Sequence, residues 1–439
     1  MPRTALPFVA ALLLAASAGP ALALDAVAEK AAVDAQLGRD YPHLDALYKD
    51  IHAHPELGHH EVRTAALLAK EMRGLGFTVT EHVGGTGLVA IYKNGAGPTV
   101  LVRTELDALP MEEKTGLPYA SRVQADWNGK QTFVAHSCGH DIHMAVWVGT
   151  ARALLARKDH WHGTLMFIAQ PAEEVGDGAA AMVKDGLFTR FPKPDMGFAL
   201  HGGPTADNEV FFKPGVRSSS ADSLMITFHG KGAHGAQPQL SIDPVVMAAR
   251  FVVDVQTVIS RERDPLAPGI ITIGSIQGGT VGNIIPDTVV VRGTVRSYDE
   301  GVRQKLLAGI RRTAEAEAAM EGAPPPDIEL VVAGRAVVND DALMARTAPV
   351  FRAAFGEHAI ELKQPETPSE DYSEFVIAGV PSVYFGIGVY DPARIAAARA
   401  GGAPVPSNHS PYYAPVPEPT IRTGVEAMTL AVENVTSGK

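Results

Sequence analysis

Apolar positions along this chain follow two spacings, and the switches between them outline its elements. From Asp40 to Ala53, Leu44, Leu47, Tyr48 and Ile51 recur at helical spacing. Pro55 and Gly58 in HPELGHHE (54–61) break that helix, and a second runs from Glu61 to about Arg73, stopping at Gly74 and Gly76. Short β-rich runs follow at Gly87–Tyr92, Thr99–Thr104, Thr164–Ile168 and Met196–Leu200, separated by helical stretches at Asp141–Arg157 and Gly178–Asp185. Strands alternating with helices predict an α/β fold with a mixed, largely parallel sheet. In such sheets ligands bind beyond the carboxyl ends of the strands.

The pattern changes after the polar linker FFKPGVRSSS. Strand Asp222–Gly230, helix Asp243–Ile259, strands Gly269–Gln277 and Thr288–Ser297, helix Gly301–Met320 and strand Ile328–Val332 follow in turn. That βαββαβ order is the split unit of a ferredoxin-like sandwich. His234 lies in its glycine-rich loop GKGAHGAQP, and Asn283 in the hairpin GGTVGNIIPD. Helical spacing resumes at Asp340–Phe355, then come a short helix in SEDYSEF (369–375), a buried strand at Val380–Ile387, a flexible loop from Ala396 and a closing helix at Ile421–Val432. The predicted organisation is a discontinuous catalytic domain (24–216 and 335–439) interrupted by an inserted domain (217–334). Edge strands of that insert could pair with a second copy, making a homodimer.

Composition narrows the class. Of 439 residues, 46% are hydrophobic and 20% charged, which suits a globular protein with a large core. Arg3, the apolar run Pro7–Gly19 and Ala21-Leu22-Ala23 read as a signal peptide over residues 1–23, so export to the periplasm or medium is expected, with no membrane anchor. A net charge of −11 without a Lys/Arg cluster argues against nucleic acid or anionic membrane as partners. A single cysteine excludes an internal disulfide, so Cys138 must be buried, ligated or reactive.

That cysteine sits in HSCGHDIH (136–143), where a soft thiolate, imidazoles and a carboxylate within eight residues suit a transition metal. His54, His59 and His60 read as polar loop residues. Other candidate ligands fall at strand exits: Glu105 and Asp107 after Thr99–Thr104, Glu173 and Glu174 after Thr164–Ile168, and His201 after Met196–Leu200. In the adjacent pair one carboxylate can ligate a cation while the other serves as general base on a water. Two other readings stay open: Cys138 as the nucleophile of a cysteine amidase, and a non-catalytic exported metal- or ligand-binding protein.

The ordered set HPELG (54–58), DALP (107–110), SCGHDIHMA (137–145), QPAEE (170–174), LHG (200–202), GKGAHGAQP (230–238), NIIPD (283–287), SED (369–371) and NHSP (408–411) resembles the dimetal aminoacylase and carboxypeptidase family. The branch is that of hippurate hydrolases, N-acyl-amino-acid amidohydrolases and auxin-conjugate hydrolases. The resemblance implies Cys138, His140, Glu174, His201 and His409 as metal ligands, Glu173 as general base and Asp107 as the carboxylate orienting a ligand. It also implies that His234 reaches a dimer partner's active site to stabilise the oxyanion, and that Asn283 contacts the substrate's carboxylate. Two divalent ions per subunit are implied, with zinc favoured by Cys and His and Mn, Co or Ni as alternatives; the substrate would be a small N-acyl amino acid or peptide. Glu105 departs from the aspartate usual in this branch, and its extra methylene either reshapes the metal pocket or reaches a neighbouring cation. APVPEP replaces the usual acidic pair after His409. His136, Asp141 and His143 take supporting roles. Arg296, at the end of an insert strand, is either a substrate-carboxylate partner or a structural ion-pair residue.

Overall fold

In the computed structural model of the protein, residues 24–437 are described, and the expected signal segment lies outside them. An eight-stranded mixed sheet forms the frame, in the order Thr78–Glu81, Leu88–Asn94, Gly163–Gln170, Thr99–Glu105, Met196–Ala206, Ser382–Tyr390, Val210–Phe212, Ala359–Glu361. The four central strands are parallel, and antiparallel pairs flank them. The strands are buried on both faces, which is why they read as continuous apolar runs. Val100 and Val102 face a core built with Tyr48, Trp147, Phe351 and Leu430 from the long helices. Leu101 faces the other side, with Met166, Met182 and Phe375.

Several elements depart from local expectation. The first helix spans Ala26–Ala53, far longer than the periodic stretch from Asp40, because an alanine-rich lead capped by Asp25 extends it and Pro42 is carried inside. Met196–Ala206 runs past Leu200, so His201 lies within the strand rather than at its end. Parallel pairing with Ser382–Tyr390 continues there, Gly386 opposite His201 and Tyr390 opposite Ala206. The loop expected from Ala396 starts only after Arg399, because a helix, Pro392–Arg399, runs into it, with the Asp391 carboxylate accepting from the amides of Ala393 and Arg394.

The intervening stretch carries its own four-stranded antiparallel sheet, ordered Gly269–Gly278, Thr288–Ser297, Ser220–His229, Asp327–Gly334. Helices Pro244–Asp254 and Glu300–Met320 start at Asp243 and Asp299, whose carboxylates accept backbone N–H groups. Leu224, Phe228, Phe251, Val291 and Ile310 form a separate core. Ala233–His234 pairs with Ile284–Ile285, so the two glycine-rich loops lie side by side. Among the described residues, no helix is long and apolar enough to cross a membrane.

Helix His140–Ala156 is clamped between the first and last helices. At Gly149 an added Cβ would meet Val425 Cγ2 at 2.6 Å and Leu44 Cδ1 at 3.0 Å. Gly149→Val therefore overpacks this contact and is expected to cost about 1–3 kcal/mol, read as a lower denaturation midpoint at unchanged slope; equal stability would contradict the close approach.

Candidate metal centre

The site begins at the turn before helix His140–Ala156. Gly139 enters it at φ +92, a backbone conformation that favours glycine, with the Tyr413 hydroxyl 3.2 Å from where a Cβ would stand. This turn sets Cys138 and His140, both buried, at the helix start. His140 Nδ1 lies 2.8 Å from the Asp107 carbonyl, to which it donates, so Nε2 presents its lone pair. Asp107 Oδ2 accepts the Glu174 amide at 2.9 Å, and Oδ1 is 3.5 Å from His140 Nδ1. Asp107 thereby fixes two neighbours at once.

Ligand atoms of Cys138, His140 and Glu174 lie within 4.8 Å of one another, and those of Glu105, His140, His143 and His201 form a second such group. His201 Nδ1 is 2.9 Å from the Gly202 carbonyl, leaving Nε2 turned inward, 3.4 Å from Cys138 Sγ. His409, held at φ +65, reaches to 3.3 Å from Glu174. His140 is thus shared by both groups, and the five ligands expected from the sequence converge on one centre.

Buried His140 Nε2, Glu174 Oε1 and Asp107 Oδ1 have no hydrogen-bond partner. Orphans of this kind are costly unless something else satisfies them. Burial pushes the Cys138 thiol well above its usual range, and the Glu174 and Glu173 carboxylates push it further. Such a thiol is a poor nucleophile, whereas a divalent cation would convert it to a thiolate ligand. Burial, with help from His143, holds His201 neutral, the form that ligates. Burial opposes charge on His140, yet Asp107, Glu105 and Glu174 outweigh it and raise its pKa to about 10, so a cation there must displace a proton. Thiol, imidazole and carboxylate donors together fit divalent transition ions.

Glu173 stands beside this centre, its carboxylate 3.6 Å from His140 Nε2 and grouped with Glu370 and Asp371. Burial and the charges of Glu370, Glu174 and Asp371 keep its carboxyl well above the ordinary range. Cys138, Glu173, Glu174, His201 and His409 line a cavity of about 890 Å³, with Arg217, Arg296 and Tyr384 elsewhere on its wall. His234 and Asn283 are exposed on the insert, joined by a Gly235 N–H to Asn283 carbonyl bond, and neither lines this chain's cavity.

Asn408 and Arg103 escaped the sequence reading. Asn408 Nδ2 donates to the carbonyls of Cys138 and Gly202 at 3.0 Å each, tying the His409 loop to two ligand segments. Glu105 meets the guanidinium of Arg103 and His143 Nδ1, the latter at 3.1 Å. The Gly202 amide donates to His143 Nε2 at 2.8 Å, so both His143 nitrogens are already engaged and its place is supporting. A charged Arg103 inside a buried strand was the one local signal of this web.

These features agree with what the chain resembles. It matches the description Peptidase family M20/M25/M40 over residues 101–434. It is 34% identical over 348 residues to the N-acetyl-L-cysteine deacetylase of Bacillus subtilis, covering 76% of this chain and 77% of that one. It is also 34% identical over 335 residues to the hippurate hydrolase of Campylobacter jejuni, covering 74% and 82%. The solved structure of the Bacillus subtilis YXEP protein, a dinuclear metal-binding peptidase of the M20 family, superposes with a TM-score of 0.72 at 25% identity, covering 90% of this chain and 98% of that one. The chain belongs to the M20 peptidase family. It is an enzyme, a metallopeptidase-like amidohydrolase.

Because the Asp107 carboxylate holds the Glu174 amide and lies 3.5 Å from His140 Nδ1, Asp107→Ala is expected to weaken divalent-cation affinity about 10- to 100-fold, measured by calorimetric titration of the metal-stripped protein. Unaltered affinity would remove Asp107 from the centre.

Proposed function

We propose that the protein hydrolyses the amide bond of N-acyl amino acids or closely related small conjugates, with Glu173 as general base. The observation that carries this is the adjacent pair after Gly163–Gln170: Glu174 shares a ligand group with Cys138 and His140, and Glu173 stands at its edge, its carboxylate 3.6 Å from His140 Nε2. Cys138, His140, Glu174, His201 and His409 would hold two divalent ions, zinc favoured by the donor set and Mn, Co or Ni also compatible. When bound, such ions supply Lewis acidity toward the scissile carbonyl and depress the pKa of a water.

The protein's own residues then move the protons. Glu173 accepts a proton from the attacking water as its oxygen bonds to the carbonyl carbon. The C–N bond breaks, and Glu173 returns that proton to the departing amine. The result is a carboxylic acid and a free amino group. An environment that raises the Glu173 carboxyl brings its pKa nearer to that of its proton donor and acceptor, as efficient acid–base catalysis requires.

The insert, residues 217–334, acts as a lid and dimerisation domain in this reading. Its strand order and separate core support a ferredoxin-like unit. The exposed loops carrying His234 and Asn283, held side by side by the pairing of His234 with Ile284 and the Gly235 N–H to Asn283 carbonyl bond, support a role toward a second copy, His234 stabilising the oxyanion and Asn283 meeting the substrate's carboxylate. Residues 24–216 and 335–439 form the catalytic domain. The enzyme works after export as a homodimer on small-molecule substrates.

Glu173→Gln tests the base. Loss of about 100- to 10,000-fold in kcat is expected, with metal content intact by elemental analysis; near-full turnover would reassign the base. His234→Ala should lose about 100- to 1000-fold. If His234 acts across a dimer, mixing inactive Glu173→Gln and His234→Ala subunits regenerates one competent site per heterodimer. A mixture as inactive as its components would place His234 outside the partner's site.

A further inference from the structure

Arg217 is the most unusual cation in the molecule. Its side chain is 1% exposed, yet it lines the same cavity as the metal-centre residues. Nε and Nη2 have no hydrogen-bond partner, and Nη1 lies 2.5 Å from a Glu366 carboxylate oxygen, close by distance but outside hydrogen-bond geometry. The guanidinium is held between two aromatic rings, its carbon 5.4 Å from the Phe211 centroid and 5.8 Å from that of Tyr384. Its backbone is pinned as well, the amide donating to Val337 and the carbonyl accepting from Glu366. A planar fork of donors, fixed by stacking and left unsatisfied, matches a carboxylate in two-point contact.

Glu366 identifies how that contact is made. It is half exposed, on the 365–369 segment that also lines the cavity, so its carboxylate can leave the guanidinium without unfolding anything. Arg217 cannot move in return.

We propose that Arg217 is a specificity-determining residue that binds a carboxylate of the substrate, additional to any group held at the metal centre, by exchange for Glu366. The preferred substrates are therefore acidic amides. This rests on the hydrolytic reading above and deepens it by naming the substrate class. The extra carboxylate can come from the amino-acid half or from the acyl half, and the same chemistry serves either.

Two isosteric pairs separate these sources: N-acetylglutamate against N-acetylglutamine, and N-succinyl-leucine against its terminal amide. The metal-loaded wild type should cleave the anionic member of at least one pair with kcat/KM about 10- to 100-fold above its neutral partner, the range of a charge-assisted hydrogen bond. Which pair responds tells which half carries the group. Arg217→Gln should abolish the preference, chiefly through KM, and Arg217→Lys should restore part of it. Glu366→Gln, on an exposed segment, should enlarge the preference by removing the internal competitor; this decides the matter should Arg217→Gln fail to fold. No preference in either pair, a preference surviving in Arg217→Gln, or no change in Glu366→Gln would each overturn the proposal. If none of the four amides is cleaved, the hydrolytic reading falls instead. Calorimetric binding of the same compounds to the metal-loaded Glu173→Gln protein still decides Arg217: tighter binding of an anionic member supports it, and equal binding within both pairs overturns it.

Discussion

The buried guanidinium of Arg103 joins the parts of the chain on which the site depends. It sits on the central strand Thr99–Glu105, and its Nη2 donates to Glu370 at 2.7 Å across 267 positions of sequence. Nε donates to Gln170 at 2.9 Å, and the Gln170 amide continues to Asp371 at 2.6 Å. On its other side Arg103 meets Glu105, which holds His143, which in turn accepts the amide of Gly202 beside His201. One cation thus sets the relative positions of two ligand-bearing strands and the Glu370–Asp371 segment. Breaking such a buried pair typically costs about 3–5 kcal/mol, because the partner charge is left without compensation. Here the partners also shape the surroundings of Glu173, so the cost would fall on function as well as stability.

That web explains how much could be read from the chain alone. The central strands were legible because both their faces are buried and their apolar runs are uninterrupted. Cys138, His140, Glu173 and Glu174 were legible because each pair is local, set by a turn or a strand exit. The long-range partners were not. Nothing near Asn408 in sequence shows that its side chain will bridge the carbonyls of Cys138 and Gly202. His201 was read as a strand-exit residue after Met196–Leu200, whereas pairing with Ser382–Tyr390 carries the strand onward. Arg217 was read as part of the polar linker FFKPGVRSSS; Phe211 lies in that same stretch, but the second aromatic partner, Tyr384, comes from a strand far along the chain. Local composition misjudged these positions because tertiary pairing decides them.

Glu105 shows how a departure in sequence acquires a physical meaning. One oxygen faces Arg103 and the other faces His143, and the side chain is fully buried. The Arg103 charge and the hydrogen bond with His143 hold its carboxyl well below the usual range against the effect of burial. Its extra methylene is spent in reaching these neighbours. His143 is oriented as a consequence, with its proton toward Glu105 and its lone pair toward the Gly202 amide. The residue therefore supports the centre through His143 and Gly202.

The wall of the resulting cavity carries fixed charges of both signs. One part is crowded with Glu173, Glu174, Glu370 and Asp371, a set whose mutual repulsion Arg103 alone does not offset, and which suits divalent cations. Elsewhere on the wall stand Arg217 and Arg296, the latter donating to the Thr367 carbonyl at 3.2 Å. A neutral acyl amide would sample such a cavity in several orientations. An amide bearing a carboxylate would not, because the crowded carboxylates repel that group while Arg217 receives it. Fixed charges of opposite sign within one low-dielectric space act on orientation before any bond changes. The net charge of −11 therefore says little about what such a cavity can bind, since a single buried cation such as Arg217 can receive an anionic group.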